Sequence, residues 1–158
     1  MLIMLAQILI VNHLRLSSYL NPYFYIFFIL MLPVRIAPPV LLLTAFFTGM
    51  VLDSFMDTPG MHSLAITTIA YIRIFYFKAT LSKEQLETLK QPDIAGTSIQ
   101  WYLVYVSLFT FMHHSILFFA EAFTFTEFLS TLYRIILSTA VTIIIIMAIH
   151  LLFYRVRE

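Results

Sequence analysis

The residues able to move a proton or hold a metal fall mainly in two stretches of this 158-residue chain. In the first stretch, Gln100, Ser107, His114 and Glu121 recur at steps of seven, with Thr110 among them and His113 beside His114. After a short Thr124-Phe125 connection come Glu127, Thr131, Arg134, Ser138 and Thr142. Residues seven apart lie on nearly one face of a helix, so two polar seams are expected to face protein or a wet cavity. At about 1.5 Å rise per residue, Arg134 and the His113/His114 pair sit at similar depth, roughly 12 Å from the connection. Arg134 is then expected to meet neutral His113 or His114, or to reach Glu121 or Glu127. Such a set would suit a proton or metal relay. Two histidines and one glutamate nevertheless make an incomplete zinc site, and H-E-x-x-H is absent. Polar groups that hold two antiparallel helices in register are the favoured reading.

The second stretch is Gly49-x-x-x-Asp53, then Asp57, Thr58-Pro59-Gly60 and His62-Ser63. Asp53 follows Gly49 by about one helical turn, so a partner backbone can approach at the glycine while the carboxylate caps something nearby. Asp and His together could serve as a base. Composition favours structure instead, with Asp57 and Ser63 capping or solvating a re-entering chain and His62 packed at the interface. A smaller group, Tyr71-Ile-Arg73-Ile-Phe-Tyr76-Phe-Lys78, is expected to snorkel its basic ends to lipid headgroups beside a tyrosine belt.

The elements carrying these residues must sit in lipid. Hydrophobic residues make up 61% of the chain and charged residues 11%. The mean hydropathy is +0.95. Soluble domains run near 45–50% apolar and about 25% charged, so a soluble fold, a disordered chain and a solenoid are excluded. There is no cysteine, hence no disulfide framework and no thiol nucleophile. The Gly-rich phosphate loop, the G-x-S-x-G elbow and Walker A are missing too, so no enzyme activity, cofactor or metal is expected.

A hydrocarbon core of about 30 Å takes roughly 17–25 apolar residues as a helix. Six segments compete for that role: about 1–14, 22–34, 38–56, 61–79, 99–123 and 127–155, with a polar loop at 80–98. The fold class expected is an all-α polytopic membrane protein of about six transmembrane helices in one domain. The first two segments are short and could be tilted or re-entrant. Asn21-Pro22 is expected to be an N-cap followed by the first helical residue, and Pro38-Pro39 to open the third segment. Pro33 should end or kink the second. Ser82-Lys-Glu-Gln85 fits a capping box on a short surface helix. Arg35, Lys78, Lys83, Lys90, Arg155 and Arg157 fall on one side, which the positive-inside rule makes cytoplasmic, with both termini there. A cleavable signal peptide is not expected, for want of a basic start and an Ala-x-Ala exit.

The order Gln7-x-x-x-x-Asn12, Leu20-Asn21-Pro22-Tyr23, Phe47-x-Gly49-x-x-x-Asp53 and Thr58-x-Gly60-Met-His62-Ser63-Leu resembles the bacterial rod-shape-determining MreD family. The polar loop, the His113-His114 helix and the final Tyr154-Arg155 extend the likeness from about residue 5 to the C-terminus. The resemblance implies a multi-pass inner-membrane scaffold of the cell-elongation complex that builds lateral peptidoglycan. It implies MreC as direct partner and, through it, the peptidoglycan transpeptidase and polymerase and MreB, with no nucleic acid. It also implies a fold similar to the substrate-binding subunits of energy-coupling-factor transporters. Partner-binding or structural roles are expected at Gly49, Asp53, Asp57, Gly60 and His62. An intramembrane polar seam is expected at Ser107, His113, His114, Glu121, Glu127 and Arg134. The alternative is a transporter subunit that binds a small molecule or lipid.

Overall fold

The computed structural model describes residues 21–123 and 127–155, with side chains up to 152. The expected first segment, 1–14, lies outside the described residues. Six helices follow: α1 (Ile26–Leu30), α2 (Pro38–Met56), α3 (Met61–Thr80), α4 (Lys83–Thr88), α5 (Ile99–Ala122) and α6 (Phe128–Arg155). No strand occurs among the described residues. By length and composition three of the helices, α2, α5 and α6 through Leu152, can cross a membrane, consistent with a helical membrane protein.

The chain packs as two antiparallel hairpins, α2 with α3 and α5 with α6, joined where α3 meets α5; α1 lies against both α3 and α5. The central helices carry the widest buried faces. On α3 these are Ala65, Ile66, Ile69, Ala70 and Phe77, and on α5 Tyr102, Tyr105, Val106, Phe109, Leu117 and Phe118. The outer helices show large apolar side chains to their surroundings, among them Leu43, Phe47 and Phe55 on α2 and Leu129, Ile144 and Leu152 on α6. Where lipid is the solvent, such a surface is the stable one, because the polar groups must be satisfied inside.

Local signals explain the helix limits. Pro38 and Pro39 occupy the first helical positions of α2, where their missing N–H groups cost nothing. Its last turn closes on Asp57, left-handed at φ 53°, with Thr58 N donating to Asp53 O at 3.2 Å in a Schellman-type ending. Gly60, at φ +81°, then turns the chain into α3. The Ser82 side chain and Gln85 form the reciprocal capping box of α4. Ser98 caps α5 through Trp101 N. Val34 N donates to Lys90 O and Arg35 Nη1 to Glu87 O, both at 3.1 Å, which brings the 33–37 and 83–93 stretches to one end of the bundle.

The second segment departs from expectation. In place of a helix over 22–34 there is only the five-residue α1, about 7 Å of rise and too short to cross a bilayer. Asn21 does not cap it; Tyr25 stands at its N-cap and Asn21 N donates to Ser138 Oγ at 3.1 Å. The reason is what the polar helix faces require. An irregular stretch can present its own polar groups to those faces at close range, which a continuous helix cannot, and α1 remains almost fully buried.

Candidate functional site

The site is built on the stretch from Asn21 to Tyr25, which threads between α3, α5 and α6. Asn21 lies next to Arg134: with its amide oxygen turned to the guanidinium, it accepts from Nη2 and Nε at 3.1 and 3.2 Å. Arg134 Nη2 also pairs with Glu121 Oε2 at 2.9 Å, and the guanidinium lies 4.0 Å over the Phe118 ring. Tyr23 hydrogen-bonds the same Arg134 side chain. Its ring stands edge-on to His62 at 5.1 Å and close to His114 and Phe118 at 5.8 and 5.9 Å. Tyr25 Oη then lies 2.8 Å from His62 Nδ1 and 2.6 Å from His113 Nε2. Tyr25, His62, His113 and His114 are all completely buried.

These contacts join residues that the sequence placed in separate groups. His62, expected with the Asp53 turn, meets His113 of the seam through one tyrosine hydroxyl. Of the partners expected for Arg134, the structure selects Glu121. His113 turns to Tyr25, and His114 holds Thr110 O at 2.8 Å and Thr142 Oγ1 at 3.4 Å. The expected equal depth of Arg134 and His114 is corrected accordingly: Thr142 stands opposite His114. Thr142 lies about two turns further along α6 than Arg134, whose partner Glu121 lies about two turns further along α5 than His114, so counting from the connection misplaces the register of the two helices. Glu127 is exposed and accepts from Ser130 Oγ at 3.4 Å. Gln100 is exposed at the start of α5, and Ser107 is half-buried. On α6, Thr131, Ser138 and Thr142 are buried as their spacing suggests.

At the α2–α3 turn the geometry is that of a capped helix crossing. Asp53 Oδ1 accepts from His62 N and Thr58 Oγ1, both at 2.9 Å. Its Oδ2 accepts from Ser63 N at 3.0 Å and Ser63 Oγ at 2.7 Å. The carboxylate thus takes up the orphan donors of the first turn of α3, where the helix dipole also favours negative charge. One turn earlier, Gly49 lies against the α3 backbone so closely that a Cβ there would come 2.3 Å from Ser63 Cα. The backbone that approaches Gly49 is therefore the chain's own. Asp57 is exposed, and with Gly60 it shapes the turn.

Arg73 requires a second correction. It does not snorkel: it is 1% exposed, donates from Nε to Tyr105 Oη at 2.9 Å and from Nη2 to Leu32 O, and lies 4.4 Å over Phe77. Tyr105 Oη in turn donates to Leu30 O at 2.9 Å. The two side chains satisfy carbonyls left open at the end of α1, which a charge at the headgroups could not do. The stretch 21–32 is thereby held at one end by Arg134 and the histidines and at the other by Arg73.

Tyr23 and Tyr25 are the site residues the sequence analysis missed. Their only signal was a pair of tyrosines directly after Asn21-Pro22 in a segment short for a span; Tyr25 is already helical at the N-cap of α1, so periodicity alone does not single them out. Among the described residues no three His, Asp or Glu side chains converge as metal ligands. No protein-family model, curated protein or solved structure matches the chain.

Proposed function

We propose that this chain is a multi-pass scaffold subunit of the bacterial cytoplasmic membrane, acting by contact within the cell-elongation complex and binding MreC. In this reading six segments span or enter the membrane with both termini inside, in a fold similar to energy-coupling-factor substrate-binding subunits. The α2–α3 turn faces outward and the 80–98 loop faces the cytoplasm. The family assignment rests on the sequence resemblance. The observation that carries the contact role is an open groove of about 1110 Å³ along α2 and α3. Leu42, Phe46, Met50 and Leu64 wall it, and Asp53, Asp57, Thr58 and Ser63 lie toward the turn. Among the described residues the Thr67 hydroxyl in that lining is buried and finds no hydrogen-bond partner. Packing and a few polar bonds drive helix association in lipid, and this groove offers both to a single transmembrane helix.

The test is co-purification of the intact chain with MreC in mild detergent. Wild type should retain MreC, and Leu64→Trp, which fills the groove from an exposed position, should lose it while still inserting. Failure of the wild-type chain to hold MreC would refute the assignment. A Leu64→Trp variant that binds normally would remove the groove from it. The carrier alternative draws on the implied fold similarity and on the seam of His113, His114 and Glu121. A carrier would show a higher unfolding temperature with its small-molecule ligand, and a scaffold only with its protein partner.

A further inference from the structure

Three groups stand in line inside the bundle: His62, Tyr25 and His113, linked at 2.8 and 2.6 Å. A phenol has one proton. Between two neutral imidazoles it donates to one nitrogen and accepts N–H from the other; because it meets Nδ1 of His62 and Nε2 of His113, the two rings must hold the same tautomer, both Nδ1–H or both Nε2–H. Their remaining nitrogens, His62 Nε2 and His113 Nδ1, are buried and find no hydrogen-bond partner among the described residues. Nothing at the far ends selects which ring carries its proton inward. His114 differs, because the carbonyl of Thr110 can only accept and so keeps the proton on Nδ1. In either arrangement of the trio, one far nitrogen is a donor without an acceptor and the other an acceptor without a donor. Buried groups of this kind call for a mobile partner such as water.

We propose that His62, Tyr25 and His113 form a proton relay whose two ends exchange with water. A proton from water binds His62 Nε2, and the proton on His62 Nδ1 passes to the Tyr25 oxygen. The Tyr25 hydroxyl proton passes to His113 Nε2, and the proton on His113 Nδ1 leaves to water. One proton enters, one leaves, and each ring ends in its other tautomer. Transfer in the reverse direction, with a proton taken from water at His113 Nδ1 and one released at His62 Nε2, resets the chain. The charged groups around the relay are arranged to tolerate the transient cation. On α2, Asp53 lies at the His62 backbone, and on α6 the Arg134 charge is paired with Glu121 of α5. Tyr23 and His114 complete the lining. The relay does not depend on the scaffold assignment.

The experiment is nitrogen NMR of the full chain, labelled at histidine nitrogen and reconstituted in lipid nanodiscs, where protonated and bare ring nitrogens have well-separated shifts. His62 and His113 are expected to show both tautomers in exchange, slower in D2O than in H2O, while His114 shows one fixed tautomer. Tyr25→Phe, which keeps the ring and removes the hydroxyl, should abolish the exchange. A single fixed tautomer at both His62 and His113 in the wild-type protein overturns the proposal, whether or not Tyr25→Phe folds. Unchanged exchange in a folded Tyr25→Phe variant overturns it as well.

Discussion

Gly49→Ala is the sharpest perturbation of the α2–α3 hairpin. The added Cβ would lie 2.3 Å from Ser63 Cα, 2.6 Å from Ser63 N and 2.9 Å from the His62 carbonyl carbon. Carbon atoms in favourable contact sit about 3.5–4.0 Å apart, so the two helices must part by about 1 Å or more at this point. The obstructing atoms are all backbone, and no change of rotamer relieves them. The same movement stretches the bonds from Asp53 to His62 N and Ser63 N, now 2.9 and 3.0 Å, toward the limit at which they cease to hold. Overpacking costs about 1–3 kcal/mol, and hydrogen bonds to a charged group contribute about 1.5–3 kcal/mol net. With partial overlap of the two, a loss of about 3 kcal/mol is expected. Reversible unfolding in mixed micelles, followed by helicity, measures it for Gly49→Ala, Asp53→Ala and the double variant. Both single changes act on one crossing, so the double variant should lose less than their sum. A Gly49→Ala protein within about 0.5 kcal/mol of wild type would show that the close approach is absent. A strictly additive cycle would separate the glycine from the carboxylate and sink the account of the turn.

Three other outcomes are expected. Arg73→Leu should destabilise by about 2–4 kcal/mol, since it leaves Leu32 O and Tyr105 Oη without their charged donor, and hydrogen exchange should rise first over residues 26–34; uniform protection would contradict the clamp. Arg134→Ala should cost more than Glu121→Ala, because Arg134 also holds Asn21, Tyr23 and the Phe118 ring; equal costs in unfolding measurements would reduce its role to the ion pair. Ser82→Ala should cost about 0.5–2 kcal/mol locally, read as faster amide exchange over 83–88 with the bundle unchanged, and exchange as slow as wild type would rule out the capping box.

Much of the helical layout is legible in the chain itself. Apolar length sets where α2, α5 and α6 can lie, and Pro38-Pro39, Thr58-Pro59-Gly60 and Ser82-x-x-Gln85 mark ends through local backbone chemistry that needs no neighbour. Steps of three, four and seven place Thr131, Ser138, Thr142 and His114 on inward faces. Gly49 and Asp53 announce a close approach with a carboxylate at hand, since only glycine admits a backbone and a carboxylate one turn on can take its orphan N–H groups. What those faces meet is a different matter. Spacing along one helix carries no record of the partner's height, so the Arg134–Glu121 pair and the His114–Thr142 register emerge only when α5 and α6 are packed.

The same holds more strongly for the stretch from Asn21 to Arg73. Its residues read one by one as a helix start, a second helix and a lipid anchor. Only packing turns Tyr25 toward two histidines 37 and 88 positions away, and Arg73 toward a carbonyl 41 positions back. Composition and periodicity determined that this protein is helical, apolar outside and polar along a few inner faces, because lipid leaves a polar group no other place to go. The tertiary structure alone decided which polar groups satisfy one another, because that choice depends on distances between segments remote in sequence.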